Sequence, residues 1–317
     1  GCLTMSLAQS WSVLLLGLLL IRIFGQGAMG LASSTATAAR FEQYRGQALS
    51  LVGLGHPIGS AVFPVLVSFW VSRYDWRSGW VFLALLTLLM FLPTVLYLLR
   101  SEAGLRARPN KKQAKRRSKA IYGMLLTDPK FFPAVFAGIA PPCFLTALFL
   151  YQVALGESKG WSVALMASAF IPFSLARAVF VFVYGRFIDV YSASRVFAVL
   201  LVPLVLGLGC LWFGESPVWV FISFTLFGVT VGGGMTVRPA FWAENYGAER
   251  LGTVQGLVGF FTILSTALGP WAMGHLIDAG VGFQEVLRGM IVLTLGGAVL
   301  CTWVSWRALK DLGIRSG

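Results

Sequence analysis

Charge is scarce in this chain. Asp, Glu, Lys and Arg make up 12% of its 317 residues, where a soluble domain carries about 25%. So few charges cannot cover the surface of a water-soluble globule, and 57% of the residues are hydrophobic. Acid is scarcest. There are twelve Asp and Glu, and all map to loops or to the ends of apolar runs. Only two histidines and four cysteines occur. Cys2, Cys143, Cys210 and Cys301 have neither metal-ligand nor disulfide spacing, so no metal and no cofactor are expected. No phosphate-cradling glycine loop is present, which leaves ATP hydrolysis by this chain unsupported, and no H-E-x-x-H occurs. The first apolar run has no basic region and cleavage site before it, so no signal peptide is read.

Apolar sequence is abundant. A helix needs about 20 apolar residues to cross a roughly 30 Å hydrocarbon core. Nine such runs are found, at about 12–34, 48–71, 80–99, 132–152, 162–184, 196–214, 217–237, 253–276 and 287–306. Helix is dictated, because backbone groups in lipid must be satisfied within the segment. The expected fold is an all-α polytopic membrane protein, with about nine transmembrane helices.

The net charge of +13 has a pattern. If the nine runs alternate across the membrane, one side holds residues 38–47, 100–130, 185–195, 238–251 and the C-terminus. Those segments carry 19 of the 25 Lys and Arg. The positive-inside rule predicts that they are cytoplasmic. The expected location is the plasma membrane, or the inner membrane in a bacterium. The basic stretch SEAGLRARPNKKQAKRRSKA reads as a tether that meets anionic lipid headgroups. The charge is not gathered on a folded basic domain, so no nucleic-acid partner is expected.

A repeat accompanies this pattern. Gly46, Gly53 and Pro64 recur as Gly252, Gly259 and Pro270, each 206 residues later, and Gly27 maps onto Gly233. This predicts a duplicated six-helix unit with three helices missing from the start of this chain. The division expected is 1–99 for the rest of an N-terminal half, 100–130 for a linker and 131–317 for a C-terminal half. Two six-helix halves are a known transporter plan.

Several segments carry a resemblance. YGRFIDVYSASR resembles the cytoplasmic G-x-x-x-D…R signature of the major facilitator superfamily, on Gly185, Asp189 and Arg195. RIFGQGAMG, GLGHPIGSAVFP and GPWAMGHLID look like that family's fourth, fifth and eleventh helices. Within it the chain looks most like the monocarboxylate porter and oxalate/formate antiporter group. The resemblance implies a twelve-helix, two-half fold, a gating latch in which Asp189 faces the positive end of a neighbouring helix, and secondary transport by alternating access. It also implies that Arg177 engages a substrate carboxylate, although Phe173 stands where that group has an Asp.

The residues give their own argument for an anion. Arg22, Arg177 and His56 fall inside apolar runs, where an arginine costs roughly 2.5–3.5 kcal/mol. No acid within the runs is placed to pair with either arginine. The open alternatives are a partner in missing helices, carbonyls and water, or an anionic substrate held by a guanidinium fork. The candidate substrate contacts are therefore Arg177, Arg22, His56, Tyr151 and Gln152, with Trp242, Asn245 and Trp271 as further cavity candidates. Gly53, Gly59, Gly259 and Pro270 are expected to serve helix packing. The function expected is carriage of a small organic anion, coupled to a proton or a counter-anion. The competing readings are a carrier of another solute with structural arginines, a membrane-embedded enzyme and a non-transporting receptor.

Overall fold

A computed structural model describes residues 1–30, 73–102 and 120–311, with isolated positions between 33 and 70. The chain divides into two compact units, Gly1–Arg116 and Arg117–Gly317. The boundary falls within the basic stretch.

In the first unit, α1 is Cys2–Ser6 and α2 is Trp11–Leu20, whose Ser10 N-cap accepts from the Val13 N–H. The chain then continues through the widened π-helical turns Ile21–Ala28. Such turns are rare and frequent at functional sites. Next comes α3, Trp76–Glu102. Asp75 starts it by accepting from the Arg77 N–H, and Arg77 Nη2 reaches back to the Ala8 carbonyl at 2.9 Å.

The second unit opens with helical residues 120–127, then α4 (Phe131–Leu150), α5 (Gln152–Ser158), α6 (Val163–Ser168), α7 (Phe170–Tyr191) and α8 (Ala193–Ala198). It continues with α9 (Val202–Phe213), α10 (Val218–Tyr246), α11 (Leu251–Asp278) and α12 (Phe283–Asp311). Consecutive α6–α7 and α8–α9 act as single spans, 163–191 and 193–213.

Among the described residues, seven helices are long and apolar enough to cross a membrane. They correspond to seven of the nine expected runs. The run 12–34 appears as the shorter apolar helix Trp11–Gly25, and 48–71 lies mostly outside the described residues. One boundary changes the chemistry. The expected run 217–237 stops where charge appears, yet α10 continues to Tyr246 and carries Arg238 inside it. Arg238 therefore leaves the set of loop charges.

The helices are apolar on the outside as well as within. On α7, Ile171, Leu175, Val179 and Phe182 form a stripe exposed by 47–72%, spaced at helical intervals. The opposite face buries Phe173, Ala176 and Tyr184. An exposed apolar stripe this long marks a membrane or protein contact surface. Association of α7 with α10 depends on small residues. A Cβ on Gly232 would stand 2.5 Å from the Arg177 carbonyl, and one on Gly233 would stand 2.7 Å from the Tyr184 ring. Gly228 meets the Phe173 carbonyl in the same way.

At the far end of the unit, Lys159 works as a staple. Its Nζ donates to the Leu211, Trp212 and Gly214 carbonyls at 2.7, 3.4 and 2.8 Å, where α9 ends. A cation suits that end of a helix. Burial lowers the pKa of this ammonium, and Glu215 partly opposes the shift. Lys159→Met is expected to destabilise the unit by about 2 kcal/mol, since it strands those carbonyls. A thermal midpoint unchanged in detergent would refute the staple.

Candidate functional site

Arg238 and Arg177 converge on one turn of α10. Arg238 points back along its helix, as helical side chains do. Its Nε donates to the Gly234 carbonyl at 2.9 Å, and its Nη1 donates to the Gly138 carbonyl of α4 at 3.0 Å. Gly234 makes room for this side chain, and Gly138 lies in ordinary contact with it. A Cβ on Gly234 would lie 2.8 Å from Nη2, and one on Gly138 would lie 3.6 Å from the Arg238 Cδ. Arg177, on α7, places Nη2 3.5 Å from Met235 Sδ. Met235 and Arg238 are three apart on α10, hence on one face. The side chains of both arginines thus reach the level of residues 234–235.

Arg238 is partly buried, and no carboxylate contacts it among the described residues. Two of its nitrogens are tied to backbone on two different helices, and Nη2 makes no hydrogen bond within the described structure. A guanidinium anchored on one side keeps donors on the other that can receive an anion. The sequence reading missed Arg238 because it sits at the end of a hydropathy run, just before Pro239. The available signal was the glycine run Gly232–Gly234 one turn earlier, which admits both a neighbouring backbone and a bulky side chain.

Within this unit, Tyr151 and Gln152 lie apart from that turn. Tyr151 and Gln152 follow the far end of α4, about 18 Å along the helix from Gly138 at 1.5 Å per residue. Tyr151 instead packs its hydroxyl against Gly274 of α11, and the Gln152 Oε1 is buried without a hydrogen bond among the described residues. Arg22 is exposed at the start of the π-helical turns. His56 and Gly53 lie outside the described residues. Trp242 is buried among Phe131, Phe241 and Tyr246. Trp271 is exposed and stacks on His275 with ring centroids 5.9 Å apart.

The packing residues also sort differently. Among the described residues, a Cβ on Gly259 would meet nothing within 4 Å, and one on Gly59 would meet Phe63. Pro270 lies within α11. The close approach there is made by its neighbour Gly269, against the Cys143 carbonyl of α4.

The signature segment joins α7 to α8. Gly185 lies in ordinary contact range of Thr236, whose hydroxyl donates to the Val181 carbonyl at 3.2 Å. Asp189 is exposed, and Arg195 is in α8. The carboxylate that meets the start of α8 belongs to Glu244 of α10. Its Oε2 accepts from the Ala193 N–H at 2.8 Å, where the helix end is positive. Beside it, Asn245 donates to the Ser194 hydroxyl at 3.1 Å and to the Phe241 carbonyl at 3.0 Å. Between the helices Ser192 takes φ 73, ψ 153, a region almost confined to glycine that costs on the order of 1–3 kcal/mol. Ser192→Gly is expected to raise stability by about 1 kcal/mol after the unfolded-chain entropy of glycine is deducted. A lowered thermal midpoint would show that no strain is held there.

Comparison with known proteins places this geometry in a family. Over 164 residues the chain is 31% identical to proteins named Lysophospholipid transporter LplT from two strains of Klebsiella pneumoniae. The match takes in 51% of this chain and 38% of each relative, well under half of the relatives' own length. The profile of the Major Facilitator Superfamily matches residues 1–172 and 144–313. With its apolar spans and close-packed glycine helices, this chain is a polytopic membrane protein of the Major Facilitator Superfamily.

Proposed function

We propose that the chain serves secondary transport of a solute that carries an anionic group, and that Arg238, with Arg177, supplies the counter-charge. The observation that carries this reading is the Arg238 guanidinium, braced by the Gly138 and Gly234 carbonyls and free at Nη2 of any described hydrogen bond. Carbonyls satisfy part of its hydrogen-bonding capacity without neutralising its charge. An anion does both, and its departure restores the cost. That asymmetry favours binding of an anion at the site. Transport would follow by alternating access, driven by a proton or a counter-anion, with the C-terminus and residues 100–130 in the cytoplasm.

The carboxylate class rests on the resemblance of the Arg177 segment alone. Similarity to lysophospholipid transporters favours a second reading, in which the anion is the phosphate of an amphiphile. The same fork accepts either group. Proteoliposomes containing the chain, offered labelled monocarboxylates and labelled lysophospholipids, separate the two. Saturable uptake of a carboxylate supports the first reading, and uptake of lysophospholipid alone supports the second. Uptake of neither, with no binding by a filter assay, would sink the anion reading.

A further inference from the structure

A second basic site lies away from these arginines, at the end of the unit where α4 begins and α12 finishes. An open cavity of about 560 Å³ is lined there by Thr127, Lys130, Trp306, Arg307 and Lys310, with Met124, Pro129 and the carboxylates of Asp128 and Asp311. Both carboxylates are already engaged. Asp128 accepts from the Tyr246 hydroxyl at 2.7 Å and from the Lys130 N–H at 2.8 Å. Asp311 accepts from Lys130 Nζ at 2.6 Å. Lys130 also lies 4.0 Å from Asp128 and is only 12% exposed, so its ammonium is spent between the two acids.

Arg307 and Lys310 are left without an acid. Neither forms an ion pair among the described residues. Each lies over an indole face instead, Arg307 over Trp303 at 4.9 Å and Lys310 over Trp306 at 5.5 Å. They are three apart on α12 and so share one face. Their tryptophans are 38% and 54% exposed, amphipathic rings of the kind that settle at the headgroup level of a bilayer. In sequence, eight Lys and Arg between Arg106 and Lys119 lead directly into the helical residues 120–127 beside the cavity.

We propose that this cavity binds the phosphodiester of an anionic phospholipid, with Arg307 and Lys310 as its ligands and Trp303 and Trp306 flanking its glycerol and acyl chains. The lipid is a bound component of the protein and not the transported solute, so the site stands whether or not the reading of Arg238 holds. Phospholipid is favoured over free phosphate because both cations are mounted on exposed aromatic rings, on which an acyl tail gains apolar contact that an inorganic ion lacks.

The test uses the full chain in nanodiscs of phosphatidylcholine, titrated with phosphatidylglycerol that bears a photoactivatable headgroup. In the unaltered protein, crosslinks are expected on peptides covering 120–130 and 303–311, with phosphatidylglycerol preferred over phosphatidylcholine by roughly tenfold or more, the effect of two basic contacts. Arg307→Gln with Lys310→Gln is expected to remove that preference. Lys111→Gln with Lys112→Gln is expected to leave most of it. Inorganic phosphate in large excess over the lipid is expected not to displace it. Crosslinks elsewhere, no headgroup preference, full competition by phosphate, or loss of preference only in the linker variant would each overturn the proposal. The crosslink map needs no variant, so it decides the question even if the double substitution fails to fold.

Discussion

Replacing Arg238 by glutamine is expected to weaken anion binding by at least about a hundredfold. Hydrogen bonds to charged groups contribute about 1.5–3 kcal/mol each, so loss of two lowers affinity by roughly this much. Glutamine keeps a polar head that can still reach the Gly234 carbonyl, and the α4–α10 contact should survive. Arg238→Lys is expected to fall between, because a point charge cannot brace two carbonyls and present a planar fork at once. Binding of the labelled anion to purified protein is the measurement, with the thermal midpoint recorded alongside. Affinity retained within twofold, with the midpoint lowered, would show that Arg238 only staples Gly138 to Gly234 and that the anion binds elsewhere.

Gly232→Leu is expected to prevent accumulation of folded protein. The Cβ position is 2.5 Å from the Arg177 carbonyl and 3.2 Å from its Cα, and both are backbone. No side-chain rotation relieves that contact, so α7 and α10 must separate. Even Gly232→Ala should cost about 1–3 kcal/mol, the usual range for overpacking. Separation would also draw Arg177 away from Met235 and disturb the turn on which both arginines converge. Gly259→Leu is the control, since no described residue lies within 4 Å of a Cβ on Gly259. It should stay within about 0.5 kcal/mol of the parent. Size-exclusion profiles and thermal midpoints of both variants would test this. Equal tolerance of the two substitutions would mean that glycine at 232 is not needed for packing.

The contrast between Gly232 and Gly259 shows where one-dimensional reading stops. The repeat made Gly259 and Pro270 stand out, because spacing is visible in sequence. Which glycine touches a neighbour depends on how α11 is rotated about its axis, and in the structure Gly269 and Gly274 make the approach. Arg238 escaped for a related reason. A hydropathy run ends where charge begins, but a helix ends where its hydrogen bonding ends. Here α10 runs on past Arg238 to Tyr246, and the charge is held by carbonyls on two helices. Glu244 was likewise placed in a loop, and only the packing of α10 against α8 brings its carboxylate to the Ala193 N–H.

By itself the amino-acid sequence determined that this chain lives in lipid, that it is helical, and where most of its spans lie. Those outcomes follow from transfer free energies and backbone hydrogen bonding, which depend on local composition. It also marked Arg177 as a charge needing a physical reason. Only the tertiary structure decided that Arg238 stands at the same turn, that Tyr151 and Gln152 lie far along the helix, and that Arg307 and Lys310 are left over once Lys130 is paired. Each of these rests on which residues from distant parts of the chain become neighbours, and helix rotation and close packing set that.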